Sequence, residues 1–327
     1  MTLLEYFSSF NRIPVVPIVG YPALVSLKMT AQECLLYPEK HVKLVDYMRR
    51  KYSIDALLPL LDLTVEAEAL GAKIKYRGKE APQIEKNVSI NDINIDYSKN
   101  RIPIFVKTAE MIKKGSNELP TGFYITGPFT IAGQVIGITN LLRFTLTSPE
   151  TLYSILDKIA EISLYYSREL ERVGINFIII AEPSSSLISA TQFNEFSKPY
   201  LIKLVKNLKT DAILHVCGKS KHLLKEMIET KAAGISIDQN ISLEEAVSTL
   251  PSDMLVFGNY SPVDLMLEQP LTIRKNVLKM LTPVKDKNNI VSSTGCDIPT
   301  NTPEENIKTF IETSKSIKRN KIIYYKL

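Results

Sequence analysis

One stretch of this sequence decides its fold: Asp211-Ala212-Ile213-Leu214-His215-Val216-Cys217-Gly218. The stretch begins as a short apolar run without strict polar alternation, which is typical of a strand covered on both faces. It ends on a histidine, a cysteine and a glycine, so two side chains that bind metals follow directly after a buried strand. A buried strand that ends in chemically active residues is the pattern that recurs along this chain.

The chain contains eight short apolar segments that are bounded by turn or polar residues, and residues 211–215 are one of them. The other seven are residues 14–19, 54–58, 122–126, 175–181, 234–238, 254–258 and 289–294. Segments with helical spacing separate most of them, and the clearest covers residues 152–170. A cap, a first-turn proline and an acid precede that helix at residues 148–150, and Gly174 ends it. A second helix is predicted to begin at Thr302, which forms a capping box with Glu305 and is followed by Pro303 at the first helical position.

Eight strands that alternate with helices in 327 residues predict an α/β fold, a (β/α)8 (TIM) barrel. A doubly wound nucleotide-binding sheet is disfavoured because no G-x-G-x-x-G turn follows an early strand. We expect residues 1–327 to form a single barrel domain with an N-terminal elaboration. Residues 71–120 are longer than one crossover requires, and we interpret them as an insertion on the barrel rim that contains a small hairpin.

The composition excludes several classes of partner. The chain is 45% hydrophobic with a net charge of +5, and no block of Lys or Arg stands out, so a nucleic-acid partner is disfavoured. No apolar run approaches the ~18 residues that span a bilayer. The first residues lack a basic leader, and three cysteines make no disulfide framework. We therefore expect a cytoplasmic protein without a membrane partner.

The barrel hypothesis makes a prediction about where the chemistry lies, because active sites of such barrels form at the C-terminal ends of the strands. Polar and metal-binding residues follow seven of the eight predicted strands: Tyr21, Asp62, Glu66, Glu182, His215, Cys217, Asp238, Asn259 and Cys296. We therefore expect these side chains to converge at the mouth of the barrel.

His215, Cys217 and Cys296 are the predicted metal ligands. One imidazole and two thiolates are ligands that zinc prefers, and three protein ligands leave a fourth position open, as in catalytic zinc sites. The alternative is a histidine and two cysteines buried in the core. A structural zinc is disfavoured because no C-x-x-C pair and no fourth Cys or His lies nearby in the sequence. Cys34, in an apolar helical stretch, is predicted to be a core thiol.

The remaining polar residues have weaker signals. Glu182 stands at the end of a very apolar strand. Its carboxylate is predicted to be a buried partner of a backbone group, a residue that orients a ligand, or a displaceable fourth zinc ligand. Glu182 and Asp238 are the catalytic candidates, and Tyr21 and Asn259 are candidates for cofactor binding. Asp62 and Glu66 either begin a helix or line the mouth of the barrel. His41 and His222 are predicted to lie on the surface.

Several of these segments together resemble a known family. The segments are residues 62–71, 127–130, 214–218, 257–259 and 293–299. They look like the uroporphyrinogen decarboxylase superfamily, and the H-x-C…C set resembles its branch of methylcobalamin:coenzyme M methyltransferases. The resemblance covers nearly the whole chain. It implies a (β/α)8 barrel whose zinc is held by His215, Cys217 and Cys296.

The decarboxylase branch remains the alternative. Its substrate is a tetrapyrrole with many carboxylates, and its members present an arginine-bearing segment after the first strand. Here that place reads Pro17-Ile18-Val19-Gly20-Tyr21-Pro22, with no basic residue before Lys28. A decarboxylase also has no need of two zinc thiolates. A third reading is a non-catalytic corrinoid- or partner-binding protein on the same scaffold.

The leading hypothesis is a zinc-dependent methyltransferase. A free alkyl thiol with a pKa near ~8.5 is mostly protonated at neutral pH, and zinc coordination deprotonates it. The zinc-bound thiolate would take a methyl group from methylcobalamin and leave Co(I). We expect the corrinoid on a separate carrier protein, with residues 71–120 as a candidate docking surface. Coenzyme M is the acceptor that the resemblance suggests, and homocysteine would use the same chemistry.

Overall fold

A parallel sheet surrounded by helices forms the core of the protein. The computed structural model describes residues 1–95, 97, 100–116 and 118–320. The strands are β1 (Lys73–Arg77), β2 (Glu80–Lys86), β3 (Gly122–Thr126), β4 (Phe177–Ala181), β5 (Asp211–Val216), β6 (Gly234–Ile237), β7 (Leu255–Tyr260) and β8 (Ile290–Thr294). The helices are α1 (Leu3–Ser8), α2 (Tyr21–Ser26), α3 (Ala31–Leu36), α4 (Pro38–Tyr52), α5 (Val65–Ala69), α6 (Ile102–Lys114), α7 (Pro128–Ile136), α8 (Ile138–Thr147), α9 (Pro149–Arg172), α10 (Ala190–Gln192), α11 (Lys198–Asn207), α12 (Leu224–Glu229), α13 (Leu243–Thr249), α14 (Pro262–Leu267), α15 (Pro270–Leu281) and α16 (Glu304–Ser316).

The six strands β3 to β8 lie side by side in chain order, and every neighbouring pair is parallel. Two extended segments close this sheet into a barrel. Val15 forms a parallel bridge with Ser292 of β8, and Leu57 forms one with Thr121 beside β3. The predicted (β/α)8 barrel is therefore confirmed. Its first two predicted strands, residues 14–19 and 54–58, are bridging segments rather than regular strands.

A buried carboxylate holds the two closing segments together. The backbone N–H of Asp55 donates to the Val15 carbonyl oxygen at 3.0 Å. The Asp55 side chain accepts a hydrogen bond from the Val15 N–H at 2.7 Å and forms an ion pair with Arg12 at 2.7 Å. Because these segments share few backbone hydrogen bonds, the carboxylate supplies much of the specific contact at the closure.

The interior of the barrel is filled by side chains rather than left as a channel. Alternate residues of the strands form one cluster of buried apolar side chains that includes Tyr124, Phe177, Ile179, Ile213, Leu255, Phe257 and Val291. Helix α1 closes the N-terminal end of the barrel, where Phe7 packs edge-on against Phe257 with ring centroids 5.8 Å apart. A second, larger cluster packs the outer face of the sheet against the helices.

The predicted local elements are mostly confirmed. Helix α9 spans Pro149–Arg172, and Gly174 follows it with a φ of +84°. The rim insertion contains the antiparallel hairpin β1–β2. The capping box predicted at Thr302 is wrong, because α16 begins at Glu304 with Pro303 as its N-cap. The Thr302 hydroxyl donates instead to the Pro299 carbonyl oxygen at 2.7 Å.

Within the described residues, no single helix has the length and apolar character needed to cross a membrane. Helices α7 and α8 satisfy those two criteria only as a joined pair, and they are bent by 110° relative to each other.

Replacing Asp55 should weaken the closure of the barrel. We expect Asp55→Ala to lower the free energy of unfolding by about 3 kcal/mol, because Arg12 and the Val15 N–H both lose a buried partner. Urea unfolding followed by circular dichroism measures the loss. Glu5→Ala, which removes an exposed cap of α1, is the control and should cost about 1 kcal/mol or less. A loss at Asp55 no larger than the control would contradict the proposed clamp.

Candidate metal centre

Two strands supply the predicted metal ligands. His215 lies near the end of β5 on the same face as Ile213, which points into the barrel. Cys217 follows β5, and Gly218 turns the chain with a φ of +84°. Cys296 follows β8 after Gly295. The structure brings the three together, and one ligand atom from each lies within 4.8 Å of the others.

This spacing is compatible with a single ion. Zinc bonds of about 2.0 Å to nitrogen and 2.3 Å to sulfur place tetrahedral ligand atoms roughly 3.5–3.8 Å apart. The three atoms reach that spacing after a small contraction from 4.8 Å. Among the described residues, this is the one group of His, Cys, Asp and Glu side chains with such an arrangement.

The environment of the His215 ring fits a metal ligand. Its Nδ1 lies 3.0 Å from the hydroxyl of Ser236 on β6, while its Nε2 is buried and has no hydrogen-bond partner among the described residues. A buried polar atom without a partner is costly. An imidazole that bonds a neighbour through one nitrogen and a metal through the other is the usual arrangement in metal sites. The donor set therefore fits zinc.

The pKa values of the two cysteine thiols are shifted in opposite directions. A hydrogen bond from Cys296 lowers the pKa of Cys217, although burial opposes this shift. The same hydrogen bond and burial raise the pKa of Cys296. Cys217 is therefore the thiol that ionises first, and a divalent cation that binds both sulfurs displaces the remaining proton.

Asp238 and Asn259 brace the loop that carries Cys217. The Asp238 carboxylate accepts hydrogen bonds from the Gly218 N–H and the Asn240 N–H, both at 2.8 Å. The Asn259 amide donates to the Asp238 carbonyl oxygen at 3.0 Å and also to Ile241. Both side chains are buried. Their predicted roles in catalysis and cofactor binding stay predictions, and their contacts are those of positioning residues.

Glu182 directly follows β4, the strand beside that of His215, and its backbone N–H donates to the His215 carbonyl oxygen at 2.8 Å. Its buried carboxylate accepts hydrogen bonds from the N–H groups of Phe129 at 3.0 Å and Thr130 at 2.6 Å, and from the Thr130 hydroxyl. Burial raises its pKa to about 7 against the lowering effect of these bonds. A Cβ on Gly127 would lie 2.3 Å from this carboxylate, so only glycine fits there.

Both Glu182 oxygens are therefore engaged at the start of α7, and Glu182 is not part of the group of three ligand atoms. Its suggested role as a displaceable zinc ligand stays a prediction. It would require the carboxylate to leave the N-terminus of α7, where the helix dipole favours a negative charge.

Tyr21 and Asp62 are held away from open solvent. The Tyr21 hydroxyl donates to the Leu61 carbonyl oxygen at 2.6 Å, and burial raises the pKa of this phenol. Asp62 accepts hydrogen bonds from the N–H and hydroxyl of Thr64 at 2.8 and 2.6 Å and pairs with Arg101. The cofactor-binding role predicted for Tyr21 stays a prediction. The structure shows its hydroxyl bracing the backbone before Asp62.

Arg101 is a residue that sequence reasoning missed. Its guanidinium is 4% exposed, pairs with Asp62, and lies 2.7 Å from Glu68. The Cζ atom of Arg101 lies 5.7 Å from the ring centroid of Tyr76 on β1 and 5.7 Å from that of Phe105 on α6. This buried cation joins the hairpin to the barrel. No local signal marked it, since it lies 39 residues from Asp62 in the chain.

The other predictions for single residues have mixed outcomes. Cys34 is a fully buried core thiol, as predicted, and His222 is exposed, as predicted. His41 was expected on the surface, and this is wrong. Its ring is fully buried, its Nε2 accepts a hydrogen bond from the Leu60 N–H at 2.8 Å, and it packs edge-on against Phe105. Its helix, α4, presents that face to the core.

A family model for uroporphyrinogen decarboxylase (URO-D) matches residues 8–317. The chain belongs to the uroporphyrinogen decarboxylase family. The suspected resemblance is thus confirmed over nearly the whole sequence.

Relatives with two kinds of name are similar to this URO-D family member. It is 26% identical over 320 residues, 93% of this chain and 86% of the relative, to a methylated-thiol–coenzyme M methyltransferase of Methanosarcina mazei. It is 27% identical to a methylcobamide:CoM methyltransferase of Methanosarcina acetivorans, over 95% of this chain and 97% of the relative. It is 26% identical to a uroporphyrinogen decarboxylase of Thermodesulfovibrio yellowstonii, over 79% and 78% respectively.

Solved structures support the fold. A methyltransferase from Methanosarcina mazei superposes with a TM-score of 0.88 at 22% identity, covering 96% of this chain and 97% of that one. A B12-independent methionine synthase from Shewanella superposes with a TM-score of 0.62 at 16% identity, covering 88% of each chain. These likenesses establish the barrel fold.

The Ser236 hydroxyl should matter to metal affinity. We expect Ser236→Ala to weaken zinc binding about 10–100-fold, because the hydroxyl that orients the His215 ring is lost. Competition with a chromogenic chelator measures the affinity. Ser292→Ala is the matched control, since Ser292 is also a buried strand serine but contacts Ser314. Equal affinities for the two variants would contradict this role.

Glu66 should make stability depend on pH. Its carboxyl accepts a hydrogen bond from the Thr126 N–H at 2.8 Å, its other oxygen is buried without a partner among the described residues, and burial raises its pKa to about 7. Between about pH 4.5 and 7 the folded state keeps this proton while the unfolded state loses it, so stability falls as pH rises. Glu66→Gln should thus gain about 2 kcal/mol over the native chain between pH 5 and 7.5, measured by urea unfolding. A pH-independent difference would contradict this assignment.

Proposed function

We propose that this protein transfers a methyl group from a methylated corrinoid to a small thiol such as coenzyme M. One observation carries the proposal: an imidazole nitrogen and two thiol sulfurs, from strands far apart in the sequence, lie within 4.8 Å of one another. The names of the Methanosarcina relatives support the same reaction class. A site that gathers soft ligands and leaves room for another fits activation of a thiol.

His215, Cys217 and Cys296 would hold the zinc ion. When bound, zinc would supply a substrate thiol in its reactive, deprotonated form at neutral pH. Two protein thiolates and a neutral imidazole balance the charge of a divalent cation, so the substrate sulfur stays electron-rich. Ser236 orients the His215 ring, and Asp238 holds the loop after Cys217.

The proposed reaction is a displacement at the methyl carbon. The substrate thiol loses its proton, a sulfur–carbon bond forms, and the cobalt–carbon bond breaks. The electron pair of the broken bond stays on cobalt, which changes from Co(III) to Co(I). The chain's contribution is to bind and orient the thiol at the C-terminal end of the barrel, where barrel enzymes place their chemistry. Glu182, Tyr21 and Asn259 would act through positioning.

We propose that the methyl donor, methylcobalamin, arrives on a separate carrier protein. The name of the Methanosarcina acetivorans relative, methylcobamide:CoM methyltransferase, supports a corrinoid donor. The donor would approach from the mouth of the barrel, where Cys217 and Cys296 are partly exposed.

A decarboxylase activity is the second candidate, because a relative of comparable identity carries that name. That reaction would need no metal. The buried Arg101 pairs with Asp62 and Glu68, so two carboxylates already neutralise its charge. A non-catalytic corrinoid- or partner-binding protein, the third reading, would bind zinc without turnover.

Serine replacements of the two cysteines test the proposal. We expect Cys217→Ser and Cys296→Ser each to retain less than about a tenth of the zinc and less than about 1% of the methyl transfer, because a hydroxyl is a poor zinc ligand. Zinc is measured by atomic absorption, and demethylation of methylcobalamin with coenzyme M by visible spectra. Cys34→Ala, in the core, should keep both. Normal zinc content and turnover in both serine variants would show the mechanism to be wrong.

A further inference from the structure

The hairpin β1–β2 has two different faces. One face carries Ile74, Tyr76, Pro82 and Ile84, which are buried or partly buried against the body of the protein. On the other face Lys73, Lys75 and Arg77 alternate along β1, and all three are exposed. Because residues of a strand alternate between its two sides, the apolar side fixes the hairpin and the basic side is presented outward.

The basic face is poorly neutralised. Residues 73–86 contain five basic and only two acidic side chains, so this segment carries a net positive charge. Among the described residues, Lys73 and Arg77 form no ion pair, and Lys75 reaches Glu85 only at 3.9 Å. Lys73 stands directly opposite Lys86 in the register. Like charges directly opposite each other destabilise a sheet, so this pairing is unfavourable unless an anionic surface covers it.

The hairpin contacts the loop that carries Cys296. Its turn contacts the start of α3, where the Ala31 N–H donates to the Gly78 carbonyl oxygen at 2.8 Å. It also contacts the loop after β8, where the Thr300 hydroxyl donates to the Lys79 carbonyl oxygen at 3.4 Å.

We infer that the outer face of the β1–β2 hairpin is the docking surface for an acidic face of the corrinoid carrier protein. This inference rests on the proposed function and adds the partner's chemistry to it. A carrier seated on Lys73, Lys75 and Arg77 lies next to the loop of Cys296, so its cofactor would face the mouth. Complementary charge speeds the encounter and fixes the orientation of the two proteins. The buried pair of Arg101 with Asp62, on which Tyr76 packs, holds the surface in place.

A charge-reversal experiment with two donors tests the inference. The triple variant Lys73→Glu, Lys75→Glu, Arg77→Glu is compared with a matched control, Lys203→Glu, Lys206→Glu, Lys209→Glu. The control residues are also exposed but lie in and after α11, before the start of β5 at the opposite end of the barrel. The donors are free methylcobalamin and a purified corrinoid protein loaded with methylcobalamin, with coenzyme M as the acceptor.

We expect the hairpin variant to keep its rate with free methylcobalamin and to lose about 10-fold or more in kcat/KM with the loaded corrinoid protein. The native rate with the loaded protein should fall steeply with added salt. The control variant should behave as the native chain. Binding of the loaded corrinoid protein, measured by biolayer interferometry, should fall in parallel, and Lys73→Gln, Lys75→Gln, Arg77→Gln should lose less.

Four outcomes would overturn the inference. The first two are an undiminished rate of the hairpin variant with the loaded corrinoid protein and an equal loss of rate in the control variant. The third is a native chain that accepts a methyl group from free methylcobalamin only. The fourth is a basic face that binds single-stranded RNA but does not bind the corrinoid protein. Inactivity of the native chain with both donors would instead refute the proposed function. The binding measurement, which needs no turnover, would still decide whether the hairpin docks the carrier.

Discussion

The curvature of the barrel is the constraint on which the site depends. Cys217 follows β5 and Cys296 follows β8, three strands away, and in a flat sheet these strands would lie about 14 Å apart. Their ligand atoms and that of His215 lie within 4.8 Å. Closing the sheet brings the two ends together over the interior, so the bridges of Val15 and Leu57 that complete the barrel also assemble the centre.

Around this centre, the chain uses buried hydrogen bonds to fix groups that would otherwise be free to turn. Ser236 reaches His215 from β6, and Asp238 at the end of the same strand reaches Gly218, beside Cys217. Asn259 on β7 then holds the backbone of Asp238. The three residues lie on or directly after β6 and β7, the two strands between those of the ligands, and parallel register sets their heights. A site built on strand ends is therefore as rigid as the sheet that carries it.

Much of this could be predicted from the sequence, and the failures have physical reasons. Apolar runs that end in polar residues predicted the barrel and the convergence of His215 with the two cysteines. Residues 14–19 and 54–58 are apolar too, but hydrophobicity does not reveal that each pairs through a single bridge. His41 was misjudged because its charged neighbours suggested an exposed helix face. Arg101 could not be found, since its partners lie far away in the sequence and only the fold unites them.

Several buried polar groups lie at or after the C-terminal ends of the strands, and burying them has a cost. Glu66 and Glu182 are fully buried carboxyls whose pKa is raised to about 7, and the Nε2 of His215 lacks a partner among the described residues. The hydrogen bonds that Glu66 and Glu182 accept offset only part of the free energy lost when their carboxyl groups are buried. Local conflicts of this kind are expected at functional sites, where the fold elsewhere compensates for them. The plugged, apolar N-terminal end of the barrel, with Phe7 packed on Phe257, supplies that compensation and leaves the opposite end for chemistry.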